Sequence, residues 1–337
     1  VSLYLFEGYL TFKEHKEHKE QLSKEPPSKE QLYEKQTGNK WDKRSKLEIY
    51  NDLKKINNEI VVSFYPSYFI NKNDSTLPLS GLQNSETIFC NENGYYSIYQ
   101  SDRYGFNNPD GEWDKKEIEY LLVGDSFTQG ACVNRPNDIS SVLRNLSNKY
   151  VLNLGMGGNG PLIEYATLRE YLNTNVKKVL WIYYEGNDLE DLPFEIKNII
   201  LINYLKNSNF TQNLKLKQKD INDLVLNFQK KEEKRESGAF KFKLIKFIKI
   251  SNIRYLIFPP PPPATSAPEL KKILQLTKEL TNKNNSKLYF VYLPSSFRYK
   301  INYDNTNYNL VKNIVTELNI PFIDIHKEVF EKEQNPL

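Results

Sequence analysis

A serine, a glycine and an asparagine, each just past an apolar run, are the residues with which this chain could do nucleophilic chemistry. The serine is Ser126, in Gly124-Asp125-Ser126-Phe127-Thr128-Gln129-Gly130 behind Tyr120-Leu121-Leu122-Val123. An apolar run of that length, then Gly-Asp-Ser and helix-compatible sequence, predicts a buried strand that delivers a hydroxyl to a helix N-terminus. Backbone N–H groups at such a turn are unpaired and the helix dipole favours negative charge, so an oxyanion formed there is stabilised. An ordinary N-cap serine would occupy the same turn. Both readings stand on this block alone.

The glycine and the asparagine come from the next two blocks. Tyr150-Val151-Leu152-Asn153-Leu154 reads as a second strand and runs into Gly155-Met156-Gly157-Gly158-Asn159-Gly160-Pro161, where glycine density permits close backbone approach. Lys178-Val179-Leu180-Trp181-Ile182-Tyr183-Tyr184 reads as a third, followed directly by Glu185-Gly186-Asn187-Asp188. In an open parallel α/β sheet the carboxyl ends of the strands line one crevice. The three loops are therefore expected to build a single site.

These blocks resemble those of the SGNH hydrolases, also called the GDSL esterase/lipase family. The resemblance implies an α/β fold of three layers, α/β/α, with a central parallel sheet (flavodoxin-like), and acyl transfer without a cofactor. Carried over by position, it makes Ser126 the nucleophile and its own N–H one oxyanion donor. Gly158, five residues after Asn153, is the second donor and Asn187 the third. Asp125 and Asp188 are then structural. Glu185 stands where the family has glycine, which brings a charge or crowding beside Asn187.

The family's last block, Asp-x-x-His, has no good match. His15 and His18 lie in a charged run far upstream, and His326, behind Ile320-Pro321-Phe322-Ile323-Asp324, has Ile323 three residues before it. His326 is the one candidate base near a last strand, against its reading as an ordinary core or surface residue. The expected place of the missing histidine and its carboxylate is beyond Leu337. With water as acceptor the resemblance implies an esterase, and with a sugar hydroxyl an O-acetyltransferase of cell-surface polysaccharide. The substrate would be a small-molecule or carbohydrate ester. A non-catalytic polysaccharide-binding or assembly protein on the same fold is the alternative.

The elements that must hold these loops fit an enzyme-sized α/β domain with additions. The 337 residues are 39% hydrophobic and 26% charged, a composition that supports a large core. The hydrolase domain is expected over 116–337. Residues 1–60 read as a membrane-proximal or linker-like charged helical segment. Its first twelve residues, beginning at Val1 and interrupted by Glu7, are either the stump of an anchor or signal or a short buried helix. Residues 61–115 read as an extension beside the site, offering Tyr104 and Asn107 to a carbohydrate. Arg298, past a fourth strand at Lys287–Leu293, is a candidate contact for an anionic or sugar substrate. Aromatic packing and a surface salt bridge are the plainer roles for these three.

Formal charge is +4, unevenly spread. Residues 196–258 hold fourteen Lys or Arg against five acids, a net +9, and read as a helical cap insertion (about 195–258). Its last part either lies on an anionic membrane surface or packs with its lysines in water. A stiff proline-rich spacer, 259–268, follows it. Cys90 and Cys132 either form a bridge in an oxidising compartment or stay as two buried thiols. A cell-envelope location, membrane-anchored or extracytoplasmic, is expected. Neither metal-ligand spacing nor a phosphate or dinucleotide loop occurs, so no metal and no cofactor is expected, and the basic insertion by itself makes no nucleic-acid binder.

Overall fold

The computed structural model describes residues 28–71, 74–236, 267–299 and 303–333, with backbone alone at 232–236. The expectations for residues 1–12, for His15 and His18, for the basic stretch at 240–258 and for the prolines 259–263 lie outside the described residues.

The extension opens with α1 (Lys29–Thr37) and α2 (Lys46–Lys54), each started by a capping box, Ser28 with Gln31 and Ser45 with Glu48. Three short strands follow, β1 (Val61–Val62), β2 (Glu86–Ile88) and β3 (Ile98–Gln100), with β2 in the middle of a small sheet. Ile49 and Tyr50 of α2 pack on Ile60 and Ile88 to give this unit a core of its own.

The chain then runs through β4 (Ile118–Gly124), α3 (Ser126–Gln129), α4 (Ile139–Ser147), β5 (Val151–Asn153), α5 (Pro161–Tyr171) and β6 (Val176–Tyr184). After β6 come α6 (Asp188–Glu195), α7 (Ile199–Lys206), α8 (Gln218–Glu236) and α9 (Ala267–Lys283). The last elements are β7 (Lys287–Leu293), α10 (Thr306–Glu317), β8 (Phe322–Asp324) and α11 (Ile325–Glu328). The five strands pair in the order β5-β4-β6-β7-β8, all parallel. This is the flavodoxin-like order, and it reverses direction at β4, so the crevice at a topological switch point lies where β4 ends.

Side-chain alternation splits the sheet's two faces. Leu121, Val123, Trp181 and Tyr183 join Leu162, Ile163 and Ala166 of α5 and Ile273 and Leu274 of α9 in the main core. Leu122 and Ile182 point the other way, towards Val151 and Leu143 of α4. Strands buried on both faces read in sequence as unbroken apolar runs, which is why β4 and β6 were legible there.

The described part of the predicted cap packs into the core. Leu201, Tyr204, Leu214, Ile221 and Val225 are buried in the main core. Gln212 exchanges two hydrogen bonds with the backbone of Leu77, at 2.8 and 3.2 Å, and the Phe228 ring lies 5.3 Å from that of Phe69. The insertion is thus a layer between α5 and the extension. Cys90 and Cys132 are joined in a disulfide. Asn93 Nδ2 to the Cys132 carbonyl (3.0 Å) and Arg135 to the Gln100 carbonyl (2.7 Å) strengthen the same seam. Among the described residues no helix is long and apolar enough to cross a membrane.

Candidate active site

Ser126 owes its place to tight packing at the end of β4. A Cβ on Gly124 would stand 2.2 Å from Thr128 Oγ1 and 2.6 Å from the Ile182 carbonyl, so only glycine lets the strand turn there. Asp125 caps the turn, accepting the Phe127 N–H at 2.9 Å. Gly130, at φ +105°, ends α3 after one turn. Burial pushes the Asp125 carboxyl up, and the Asp191 charge adds to this. The Phe127 N–H and the N–H and hydroxyl of Ser126 lower it, leaving it at about 6. Asp125 is a buried brace and Ser126 is only half-buried.

The glycine loop is laid directly on this helix. A Cβ on Gly155 would be 2.4 Å from the Gln129 nitrogen. Asn153 donates from Nδ2 to the Thr128 carbonyl at 2.5 Å and accepts the Gly155 N–H at 2.8 Å. Gln129 accepts the Gly157 N–H at 2.7 Å and donates to the Tyr99 hydroxyl at 2.9 Å. Burial pushes that hydroxyl up to about 12. Gly158 takes φ +69°, and among the described residues nothing accepts its N–H. The Tyr65 ring and Ser67 Oγ crowd Gly157 and Gly158, so the extension forms one wall of the site.

The third loop meets the first through rings and carboxyls. Phe127 packs on Tyr184 with centroids 4.5 Å apart. Asp188 accepts the Tyr184 N–H at 2.8 Å and tightens the turn that carries Asn187. Asn187 Nδ2 donates to Asp191 Oδ2 at 2.8 Å, which uses one of its two amide hydrogens and leaves the other for an oxyanion. Ser67, Ile70, Asn71, Gly158, Asp191, Phe194 and Glu195 line a pocket of about 270 Å³. Glu195 also accepts the Gly160 and Leu162 N–H groups at 2.7 and 2.8 Å, supplying the N-terminal cap that Gly160 itself lacks.

The remaining sequence candidates sit elsewhere. Tyr104 packs edge-on against Trp113 (4.7 Å), beside Tyr171. Asn107 is buried and donates to the Gln129 carbonyl at 2.8 Å. These two are scaffold, not sugar contacts, because the Ser101–Asp110 segment turns inward around Asp102. The Asp102 carboxyl accepts from the Tyr104 and Phe106 N–H groups, Asn108 Nδ2 and the Trp113 indole. Asn108 then bonds both backbone groups of Asn153 at 2.8 Å. Arg298 is paired with Glu185 and its side chain is 7% exposed, so it is not presented to a substrate. The charge that Glu185 brings beside Asn187 is thereby matched.

His326 lies on α11, with Nδ1 at 3.1 Å from the Tyr299 hydroxyl. β8 is three strand spacings from β4, so the two strand ends are about 14 Å apart. A serine and a histidine side chain do not span that gap, and the structure does not bring His326 to Ser126. Among the described residues no group of acidic, histidine or cysteine side chains could hold a metal ion. Sequence reasoning missed Gln129, Asn108, Tyr65 and Ser67. The only local signal for any of them was the density of short polar residues in Gly105-Phe106-Asn107-Asn108, which favours side-chain-to-backbone bonding.

No family model matches the chain, and no curated protein matches it in sequence. Among solved structures it is similar to the acetyl xylan esterase AlAXEase, at 17% identity and a TM-score of 0.34, over 63% of this chain and 79% of that one. It is also similar to AlinE4, an SGNH-hydrolase family esterase, at 9% identity and 0.33, over 66% and 85%. A protein from Lactobacillus plantarum is similar at 10% identity and 0.29, over 64% and 79%. These likenesses carry no residue role to this chain, whose fold stands on its own parallel five-stranded sheet.

Proposed function

We propose that this protein is a serine ester hydrolase of SGNH type. Ser126 Oγ attacks the ester carbonyl as a base takes its proton. The Ser126 and Gly158 N–H groups and the Asn187 amide hold the oxyanion. The alkoxide leaves with a proton, and water hydrolyses the acyl-serine. The observation that carries this reading is the half-buried serine at the switch point, with the unclaimed Gly158 N–H and the Asn187 amide on the two adjoining loops. Such donors each supply about 100- to 1,000-fold in rate. The base is a histidine outside the described residues, since Tyr299 holds His326 at the far side of the sheet.

The substrate is an O-acyl, O-acetyl above all, on a carbohydrate. The pocket beside Gly158 supports this, since its hydroxyl, amide, carboxyl and aromatic lining suits a hydroxylated ring. The test is acetate release from acetylated oligosaccharides by the full-length protein, with and without a sugar acceptor. Release that needs no acceptor marks an esterase, and acetyl transfer to the acceptor marks an O-acetyltransferase. A non-catalytic polysaccharide-binding role is the second reading. It is favoured by the lack, among the described residues, of any histidine bonded to Ser126, and it predicts binding without release.

A further inference from the structure

Among the described residues, Glu164 is the one fully buried carboxyl of the main core with neither oxygen hydrogen-bonded. Its side chain is 0% exposed, and neither carboxyl oxygen accepts a hydrogen bond. The contrast with its neighbours on the same layers is sharp. Glu170 accepts from the Tyr204 and Thr211 hydroxyls and from the Gln212 and Leu214 N–H groups. Glu195 accepts two backbone N–H groups. The Trp181 indole N–H lies near Glu164 but outside hydrogen-bonding geometry.

The charged groups that act on Glu164 are all acidic. Asp125 faces it from the turn between β4 and α3, Asp188, Asp191 and Glu195 from α6, and the Tyr183 hydroxyl from β6. An unpaired carboxylate there would cost several kcal/mol and is avoided by keeping the proton. A protonated carboxyl is a donor, and Asp188 Oδ1, also buried, lacks one.

We propose that Glu164 is a protonated positioning residue that donates its hydrogen to the Asp188 carboxyl, bracing from α5 the turn that carries Asn187. It touches no substrate. Burial, then the Asp125 and Glu195 charges, raise its pKa well above the ordinary carboxyl value, and Asp188 is raised in the same way by burial and by Glu164. The effect on reactivity rests on Ser126 being the nucleophile, whereas the donated proton does not.

Two measurements on the full-length protein separate these claims. Infrared spectroscopy at neutral pH is expected to show protonated-carboxyl absorption in the wild type, from which Glu164→Gln removes one component. Labelling of Ser126 by a fluorophosphonate is expected to slow in Glu164→Leu by roughly 10- to 100-fold, the cost of a small misplacement. Glu164→Gln, which keeps a donor that cannot ionise, should restore most of that rate and remove its decline at alkaline pH. Protonated-carboxyl absorption undiminished in Glu164→Gln, or Glu164→Leu labelling at the wild-type rate, would overturn the proposal. Failure of the wild type to label at all would sink the reading of Ser126 and leave the infrared result to decide the proton.

Discussion

Arg298 closes on Glu185 through both arms of its guanidinium, Nε to Oε2 at 3.0 Å and Nη2 to Oε1, with side chains 7% and 2% exposed. The pair ties the loop after β6 to the loop after β7. The Tyr292 hydroxyl (2.6 Å) and the Ser295 N–H (3.0 Å) also donate to the carboxylate, and the guanidinium lies over the Tyr303 and Tyr308 rings. Burial alone would raise the Glu185 pKa, but Arg298 and the hydroxyl and N–H donors outweigh it and leave it lowered.

Removing one partner leaves the other buried and uncompensated. Glu185→Ala is therefore expected to cost about 3 to 5 kcal/mol in chemical denaturation. Because the folded pKa lies below the ordinary value of 4.5, this contribution is present above that pH and lost as pH falls through the folded value. The gap between wild type and Glu185→Gln should narrow in acid. A gap that does not change with pH would contradict the assignment.

Gln129 joins the extension to the glycine loop, with Gly157 on one side and Tyr99 on the other. Gln129→Ala strands a buried N–H and a buried hydroxyl, each about 1 to 3 kcal/mol when unpaired. Lower stability should come with slower probe labelling, because the same bond holds the loop that presents Gly158. Unchanged labelling in a destabilised variant would show that the loop holds its shape without Gln129.

Asp125 offers a cleaner pH test. Its folded pKa is raised from 3.8 to about 6, so the proton it keeps favours the folded state at low pH, and that advantage is lost as pH rises across this window. Asp125→Asn keeps an acceptor for the Phe127 N–H and cannot ionise. Its stability between pH 4 and about 6 should be flatter than that of the wild type.

The strands and loops that carry Ser126, Gly158 and Asn187 were legible because their signals are local. Apolar runs gave the strands, and Gly, Asp and Asn marked the turns that end them. The partner of Arg298 was not legible, since Glu185 lies 113 positions away and nothing in either neighbourhood names the other. Asn107 looked like a loop residue free to meet a sugar, yet its amide is spent on the Gln129 carbonyl. The core contacts of the predicted cap were hidden for a related reason. Its lysines describe the outer surface, while Leu201, Tyr204 and Ile221 set its packing.

The Cys90–Cys132 bridge spans 42 positions between the extension and the segment after α3. Replacing both cysteines by serine should lower stability by roughly 2 to 4 kcal/mol, chiefly through the unfolded chain. Thermal unfolding with and without reductant checks this, and identical curves would show that the bridge adds nothing.

The central claim is that Ser126 is a nucleophile in a working oxyanion site. Treating the full-length protein with a fluorophosphonate and mapping the adduct by mass spectrometry tests it most directly. Covalent labelling is expected at Ser126, absent in Ser126→Ala and slowed in Asn187→Ala. A folded full-length protein that leaves Ser126 unlabelled would contradict it.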